Sequence, residues 1–144
     1  MNNCTVSFKA RATGPDLRLI SYLNTSLILD SELTENQSIT VTHEFDDSEN
    51  EKNILLIVMS GKNDGHTELD AVGNITADRV IEISNVSLDN IDIDILYREL
   101  SEYTHNFNGT AEKTTEKFYG TMGCNGAVTF EFTGPVYRWL LENM

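Results

Sequence analysis

Five residues near the middle of the chain have the chemistry of a sugar-binding site. They are Tyr97, Tyr103, His105, Asn106 and Asn108, and they fall within or beside an irregular, polar segment. An aromatic face matches the C–H face of a sugar ring, and amide or imidazole groups can bond its hydroxyls. We therefore predict a ligand site here, and the alternative is that the rings close the core beneath a long loop.

A second group of residues has the chemistry of a cation site. Asp64, Glu68 and Asp70 would line one face of an extended segment and offer the oxygen ligands that Ca²⁺ prefers. No glycine-bracketed calcium loop accompanies them, so the sequence predicts weak binding and no required cofactor. The alternatives are a charged edge strand that discourages pairing, or an ion in the acidic run at 46–51.

Catalytic motifs are missing from the sequence. It has no nucleophile elbow, phosphate loop, dinucleotide fingerprint or zinc-protease helix, and its three histidines lie far apart. The two cysteines, Cys4 and Cys124, match no metal motif. They could form a disulfide if the first and penultimate strands were adjacent, but in a reducing cytosol two buried thiols are expected. We predict a protein that is not an enzyme.

The charge balance limits the partners. Twenty-three acidic residues against ten basic ones give a net charge of −13 and a pI near 4.4. Such a chain repels phosphate backbones and anionic membranes, so we predict neither nucleic acid nor membrane as a partner. The N-terminus shows no signal-peptide pattern, and the longest apolar run, at 54–59, is too short to span a bilayer.

Alternating apolar and polar residues predict β-strands along most of the chain. The pattern is clear at 3–11 and 37–45, and a nearly continuous apolar run at 53–60 predicts a central strand covered on both faces. Residues 89–97 alternate most regularly, with three isoleucines opposing two aspartates. We predict a strand there with one buried and one acidic face.

The end of the chain predicts a hairpin followed by a helix. Strands at 118–122 and 127–132 flank an Asn125-Gly126 pair, which is typical of a two-residue hairpin turn. Residues 135–143 start with proline and place Val136, Trp139 and Leu140 on one helical face. We expect Trp139 to be buried.

These elements predict the fold class. Eight to ten short strands with regular turns indicate one all-β domain over residues 1–144. We expect an antiparallel β-sandwich, jelly-roll or immunoglobulin-like, with a short C-terminal helix.

The closing residues also carry a family resemblance. Asn125-Gly126, the alternating residues 128–132 and the stretch 134–143 resemble small β-sandwich proteins of tailed, marine T4-like bacteriophages, over residues 53–144. The resemblance implies a virion-associated or carbohydrate-binding-like module, located in a virion or in the host cytoplasm. Its implied partners are a glycan or other virion proteins, and a homo-oligomer stays open. The resemblance brings no catalytic residues.

Three functions follow from these observations. The first is a binding module without enzymatic activity, with affinity for a glycan or Ca²⁺. The second is an acidic inhibitor that occupies the nucleic-acid site of a host protein, which needs carboxylates spaced like phosphates along one face. The third is a small glycan-acting hydrolase, which needs two opposed carboxylates about 5 to 10 Å apart.

Overall fold

The computed structural model describes residues 3–47, 51–62, 68–69, 75–77, 79–105 and 112–144. Within them the chain forms thirteen strands and two helices. The strands are β1 (Asn3–Ala12), β2 (Leu17–Leu23), β3 (Ser26–Leu33), β4 (Ser38–Asp46), β5 (Lys52–Ser60), β6 (Glu68–Leu69), β7 (Ile75–Ala77), β8 (Ile81–Leu88), β9 (Ile91–Asp92), β10 (Glu102–His105), β11 (Thr114–Lys117), β12 (Thr121–Met122) and β13 (Gly126–Thr133). The helices are α1 (Asp94–Leu100) and α2 (Val136–Asn143).

Two antiparallel sheets make up the body of the protein. One has the order β12-β8-β1-β4, with β9 also paired to β8, and the other has the order β11-β10-β13-β5-β2-β3. A separate pair joins β6 and β7. The predicted class, an antiparallel β-sandwich with a short C-terminal helix, is confirmed.

The core lies between the inner faces of the two sheets. Every second residue of β1 and of β5 is buried, because neighbouring side chains on a strand point to opposite faces. The buried apolar residues of these two strands are Cys4, Val6, Phe8, Ala10 and Ala12 on β1 and Leu55, Ile57 and Met59 on β5. Removing this apolar surface from water is the main stabilising contribution to the fold.

Strand β5 is central, as predicted, but it is not covered equally on both faces. It pairs with β13 on one side and with β2 on the other. Its outward-pointing residues Ile54, Leu56 and Val58 are only half-buried, whereas its inner residues are buried. A continuous apolar run therefore predicted the position of β5 correctly and the covering of its outer face incorrectly.

The predicted strand at residues 89–97 is wrong. Only β9 pairs there, and the chain then turns into α1. Ile93 and Tyr97 are buried while Ile95, between them, is 67% exposed. Residues four apart share a face in a helix as well as in a strand, so Ile93 and Tyr97 suit both structures. Ile95 is the residue whose position distinguishes them.

Hydrogen bonds to β8 explain why α1 begins where it does. The Asp94 carboxylate accepts the backbone N–H groups of Asn85 at 3.0 Å and Val86 at 2.6 Å. The Asp92 carboxylate accepts the N–H of Asp94 at 2.9 Å, which satisfies a donor at the start of the helix. The aspartates predicted to form a wet strand face instead fix the start of α1 against the sheet.

The predicted hairpin around Asn125-Gly126 is also wrong. Strand β12 pairs with β8 in one sheet, while β13 pairs with β10 and β5 in the other. The Asn125 side chain accepts the N–H of Lys62 at 2.9 Å and donates to its carbonyl at 2.6 Å. These bonds hold Asn125 against the end of β5, so the connection crosses between sheets.

The predicted C-terminal helix and the predicted burial of Trp139 are both confirmed. Val136, Trp139 and Leu140 are buried on the inner face of α2. The Trp139 ring meets Phe130 and Phe132 edge-on, with centroids 5.7 and 6.1 Å apart. Across the parts of the chain that the structure describes, no helix is long and apolar enough to cross a membrane.

Neither cysteine forms a disulfide, and Cys4 is buried while Cys124 is half-buried. Strand β8 lies between β1 and β12, so the adjacency that a disulfide requires does not occur. Burial, together with the nearby carboxylates of Asp89 and Asp47, raises the pKa of Cys4 to about 11. A thiol with this pKa stays protonated and unreactive at neutral pH.

Candidate functional site

A small cleft opens at the side of the sandwich, between the edge strands β11 and β12. Its volume is about 200 Å³. The residues that line it are Tyr103, His105, Glu116, Lys117, Tyr119, Thr121, Gly123 and Cys124. Two of the residues predicted to bind a ligand, Tyr103 and His105, are therefore brought together here.

Strand β10 supplies the floor of the cleft. Tyr103 and His105 are alternate residues of one strand, so both side chains point inward. Each is 5% exposed, and their ring centroids lie 4.7 Å apart. Packed side by side, the two rings form a rigid base on which more exposed groups can be held.

Tyr103 holds the mouth of the cleft in place. Its hydroxyl donates to the backbone carbonyl of Cys124 and accepts the N–H of the same residue at 2.9 Å. Burial raises the pKa of Tyr103 to about 12, so the phenol remains neutral at physiological pH. With both bonds made to one residue, Tyr103 positions the turn before β13 and is not itself the contact surface.

Glu116 is the accessible polar group that this floor orients. His105 Nε2 lies 3.1 Å from Glu116 Oε1. The His105 side chain is 3% exposed and the Glu116 side chain is 51% exposed. Pairing of β10 with β11 places Glu116 directly opposite Tyr103. The carboxylate is thus anchored at one oxygen by a buried imidazole and open to solvent over half its surface.

Tyr119 provides an exposed aromatic face at the rim. It is 75% exposed, and the Lys117 ammonium lies 5.7 Å from its ring centroid. This distance is within the range of a cation–π contact. Tyrosine is enriched at binding interfaces because it combines an apolar ring with a polar hydroxyl. The rim therefore combines a stacking surface, a carboxylate and an ammonium.

Our sequence analysis missed Glu116, Lys117 and Tyr119. A usable signal was present, because Phe118 and Tyr119 are adjacent and cannot both be buried in an extended segment. Phe118 is fully buried, as its apolar character predicts. The tyrosine beside it had to face outward, and Tyr119 could have been chosen on that ground.

Tyr97 is not part of the cleft. It is 1% exposed and packs edge-on against Phe118 and Phe130, with centroids 5.8 and 5.2 Å away. Burial also raises the pKa of its hydroxyl far above the usual value. We assign Tyr97 to the core and remove it from the proposed site. Asn106 and Asn108 lie outside the described residues.

The predicted cation ligands fall almost wholly outside the described residues. Asp64 and Asp70 are not described, and Glu68 is described only as a strand residue paired with Ala77. Among the residues that are described, no group of three or more acidic, histidine or cysteine side chains could hold a metal ion. The calcium site stays a prediction.

Lys62, two residues before Asp64 in the sequence, makes a contact next to the cleft. Lys62 lies just beyond β5, and its ammonium donates to the Gly123 carbonyl at 2.5 Å. Gly123 and its neighbour Cys124 both line the cleft. Lys62, the last described residue before Asp64, is therefore held close to two residues that line the cleft.

A larger polar cavity, about 560 Å³, lies between the β2–β3 turn and the start of β5. Its amide groups are occupied in holding the fold together. Asn24 donates to Asn53 at 3.1 Å and accepts the N–H of Ile54 at 2.9 Å. Phe45, its aromatic lining residue, packs edge-on against Phe132 at 5.6 Å. We therefore base the candidate site on the smaller cleft with its open tyrosine.

Comparison with known proteins identifies the fold. Neither a protein-family model nor a curated protein sequence matches this chain. The solved structure of vCBM60 in complex with galactobiose has a TM-score of 0.50 and 15% identity, covering 88% of this chain and 96% of that chain. The chain shares the β-sandwich fold of that structure.

A second structure gives the same result. It is a selenomethionine form of vCBM60, described in connection with a circular permutation that links two families of calcium-dependent carbohydrate binding modules. Its TM-score is 0.52 at 11% identity, covering 88% of this chain and 89% of that chain. At these identities the shared feature is the β-sandwich, and the binding residues of this chain must be argued from its own cleft.

Proposed function

We propose that this protein is a carbohydrate-binding module without enzymatic activity, and that it binds a glycan in the cleft between β11 and β12. The observation that carries the proposal is Tyr119, which is 75% exposed beside the charged side chains of Glu116 and Lys117. The fold adds support, because vCBM60 is described in complex with galactobiose.

Each group on the rim has a role in sugar recognition. The Tyr119 ring offers a face on which the C–H groups of a sugar can stack. The Glu116 carboxylate accepts hydrogen bonds from hydroxyls and is held in place by His105 at 3.1 Å. The Lys117 ammonium donates to hydroxyl or ring oxygens. Because His105 already holds the Glu116 carboxylate in place, less side-chain entropy is lost when that carboxylate binds a hydroxyl.

The size and charge of the protein define the class of glycan. A cleft of about 200 Å³ is smaller than the pockets that enclose drug-sized ligands, so we infer that it holds one sugar unit of a longer chain. The net charge of −13 disfavours sulfated or uronic-acid polymers. A neutral oligosaccharide is the expected ligand, and galactobiose is the first one to test.

We predict that replacing Tyr119 with alanine weakens glycan binding by about tenfold or more, because stacking and its buried area are lost together. Calorimetric titration of galactobiose and a panel of neutral oligosaccharides measures this effect. Tyr137→Ala is the matched control, since Tyr137 is 64% exposed on α2 and lines no part of the cleft. Equal loss in both variants, or no binding to any glycan on the panel, would contradict the proposal.

The same titration mixtures also show whether the protein only binds the glycan or hydrolyses it. Hydrolysis by the usual mechanism needs two carboxylates about 5 to 10 Å apart. Of the described residues that line the cleft, Glu116 carries the one carboxylate. New reducing ends after prolonged incubation would show hydrolysis and would refute the non-enzymatic part of the proposal.

We also propose that Ca²⁺ binds weakly at Asp64, Glu68 and Asp70 and assists binding of the glycan. Lys62, two residues before Asp64, bonds to Gly123 in the cleft lining, and vCBM60 is described in connection with calcium-dependent modules. The expected dissociation constant is about 10⁻⁴ to 10⁻³ M, as for calcium sites of extracellular modules.

The calcium prediction is tested by thermal unfolding and calorimetry at millimolar calcium. The wild type should show a higher melting temperature with calcium, and Asp64→Asn combined with Asp70→Asn should remove that increase. Asp46→Asn combined with Glu51→Gln changes two acids of the separate run at 46–51 and should leave the increase intact. If calcium still raises the melting temperature of the Asp64→Asn, Asp70→Asn variant but not that of the Asp46→Asn, Glu51→Gln variant, the ion binds in the run at 46–51.

The acidic inhibitor is a weaker candidate. Acidic residues are divided between the two sheets, with Glu82 on β8 in one sheet and Asp30 and Glu131 on β3 and β13 in the other. A mimic of nucleic acid needs carboxylates spaced like phosphates along one face. Virion association, with a location in the virion or host cytoplasm, remains a proposal that depends on the phage resemblance.

A further inference from the structure

The outer face of the β12-β8-β1-β4 sheet carries a row of polar side chains that begins at the glycan cleft. Thr121 on β12 lines the cleft and pairs with Glu82 on β8. Glu82 pairs with Arg11 on β1, and Arg11 pairs with Ser38 on β4. Directly opposed residues of antiparallel strands point to the same face of the sheet. We call these four residues the cross-strand row.

The burial pattern shows that the cross-strand row faces solvent. Thr121, Glu82 and Ser38 are exposed, and Arg11 is half-buried. The chain neighbours of Thr121, Glu82 and Arg11 point the other way and are buried in the core: Met122, Ile81, Ile83, Ala10 and Ala12. The row is therefore an accessible surface that continues the lining of the cleft across four strands.

Arg11 and Glu82 form the centre of the row and hold each other in place. Arg11 Nη1 donates to Glu82 Oε2 at 3.4 Å, and Arg11 Nη2 donates to the side-chain oxygen of Asn36 at 3.1 Å. The two side chains of the ion pair are 44% and 47% exposed. A guanidinium has five N–H donors and a carboxylate about four acceptor positions, so donors and acceptors remain for a ligand. Because the two charges cancel, the pair offers hydrogen bonds without favouring an anion.

The spacing of the row suits a glycan chain that lies across the strands. Neighbouring strands lie about 4.8 Å apart, which is close to the length of one sugar unit. From Thr121 to Ser38 the row makes three such steps, so it can follow a chain for about three units beyond the cleft. Ser84, Lys9 and Thr40 lie opposite one another on the same face and add hydroxyl and ammonium groups beside the row.

We propose that a neutral glycan binds with one unit in the cleft, stacked on Tyr119, and continues over the cross-strand row toward β4. This extension rests on the proposed glycan function, which assigns no residue outside the cleft. The observation that supports it is Thr121, which both lines the cleft and begins the row. Hydroxyls of successive units donate to Glu82, accept from Arg11 and exchange hydrogen bonds with Ser38.

A second row leaves the cleft over the other sheet, but its polar part is shorter. Lys117 lines the cleft and pairs with Glu102, which pairs with Thr129. The next residue across is Leu56, which offers no hydrogen bond to a hydroxyl. The cross-strand row is polar at all four positions, so we expect the glycan to follow it.

Calorimetric titration of the full chain with galacto-oligosaccharides of two and five units tests the proposal. The longer one should bind about tenfold more tightly than galactobiose, because it adds several hydrogen bonds of modest net strength. We call the ratio of the two affinities, measured within one variant, the length gain. Arg11→Gln and Glu82→Gln should each lower the length gain by about threefold or more.

Two matched control variants lie on the other sheet. Arg18 is 42% exposed and bonds to Asp30 at 2.6 Å, and Glu131 is 50% exposed and bonds to Lys52 at 3.1 Å. Arg18→Gln and Glu131→Gln therefore remove the same charges from ion pairs of similar exposure, and both should keep the full length gain. Melting temperatures of all variants show that the fold is retained.

Three results would overturn the proposal. Equal affinity for the two oligosaccharides would confine the ligand to the cleft and leave the proposed binding function intact. A length gain that Arg11→Gln and Glu82→Gln leave unchanged would exclude the cross-strand row, and its loss in Glu102→Gln would place the chain on the other sheet. Absence of binding to both oligosaccharides would remove the galactose ligand and its extension together.

Discussion

Replacing Trp139 with alanine should lower the free energy of unfolding by about 3 to 5 kcal/mol, as for other large aromatic residues removed from cores. The side chain is 8% exposed and closes the end of the core. Its ring contacts Phe130 and Phe132 edge-on, and each such pair adds roughly 0.5 to 1.5 kcal/mol beyond burial. A loss of this size is a large part of the total stability of a small domain.

Urea denaturation of the wild type and the Trp139→Ala variant gives the difference directly. The Trp139→Phe variant should lose less unfolding free energy than Trp139→Ala, because phenylalanine keeps part of the edge-to-face packing. Tyr137→Ala removes a neighbouring aromatic that is 64% exposed, and it should change stability by less than about 0.5 kcal/mol. If Trp139→Ala leaves the denaturation midpoint unchanged, Trp139 does not contribute to the core.

Replacing Gly126 with alanine should both destabilise the fold and remove glycan binding. An added Cβ would collide with the backbone oxygen of Thr104 and lie 2.8 Å from the Cβ of His105. Gly126 pairs with His105 on one side and with Met59 on the other, so neither neighbour can move away easily. The expected cost is about 1 to 3 kcal/mol, as for overpacked sites.

The binding effect of Gly126→Ala follows from the same contact. Strand β10 must shift to admit the extra methyl group, and His105 then no longer holds Glu116 in place. Gly123→Ala is the control for stability, because nothing lies within 4 Å of the Cβ that it would add. Denaturation and galactobiose titration measure both effects, and a Gly126→Ala variant with normal stability and affinity would refute the proposed tight contact.

Local patterns were sufficient to predict the fold class. The alternation in β1 and β4 reports directly which face is buried, because period two is a property of each strand alone. The face shared by Val136, Trp139 and Leu140 likewise reports the buried side of α2. Such signals depend on a few neighbouring residues, so they can be interpreted without the partner elements.

Our wrong predictions came from sequence patterns that fit two different local structures equally well. Ile93 and Tyr97 share a face in a strand and in a helix, and the choice of α1 depends on Asp94 binding the backbone of β8. The Asn125-Gly126 pair resembles a hairpin turn, but Asn125 instead binds Lys62, which is distant in sequence. In both cases a contact between separate elements decided between local alternatives.

The candidate site also depends partly on local sequence and partly on contacts between separate elements. Its chemistry was visible in part, since Tyr103 and His105 were selected by residue type alone. Glu116 and Tyr119 join them only because β11 pairs with β10 and β12 pairs with β8, which brings the open edges of two sheets together. The sequence by itself therefore determined the strands and the kinds of groups available. Only the tertiary structure decided which groups meet at one cleft, because strand pairing and sheet packing join residues that no local pattern connects.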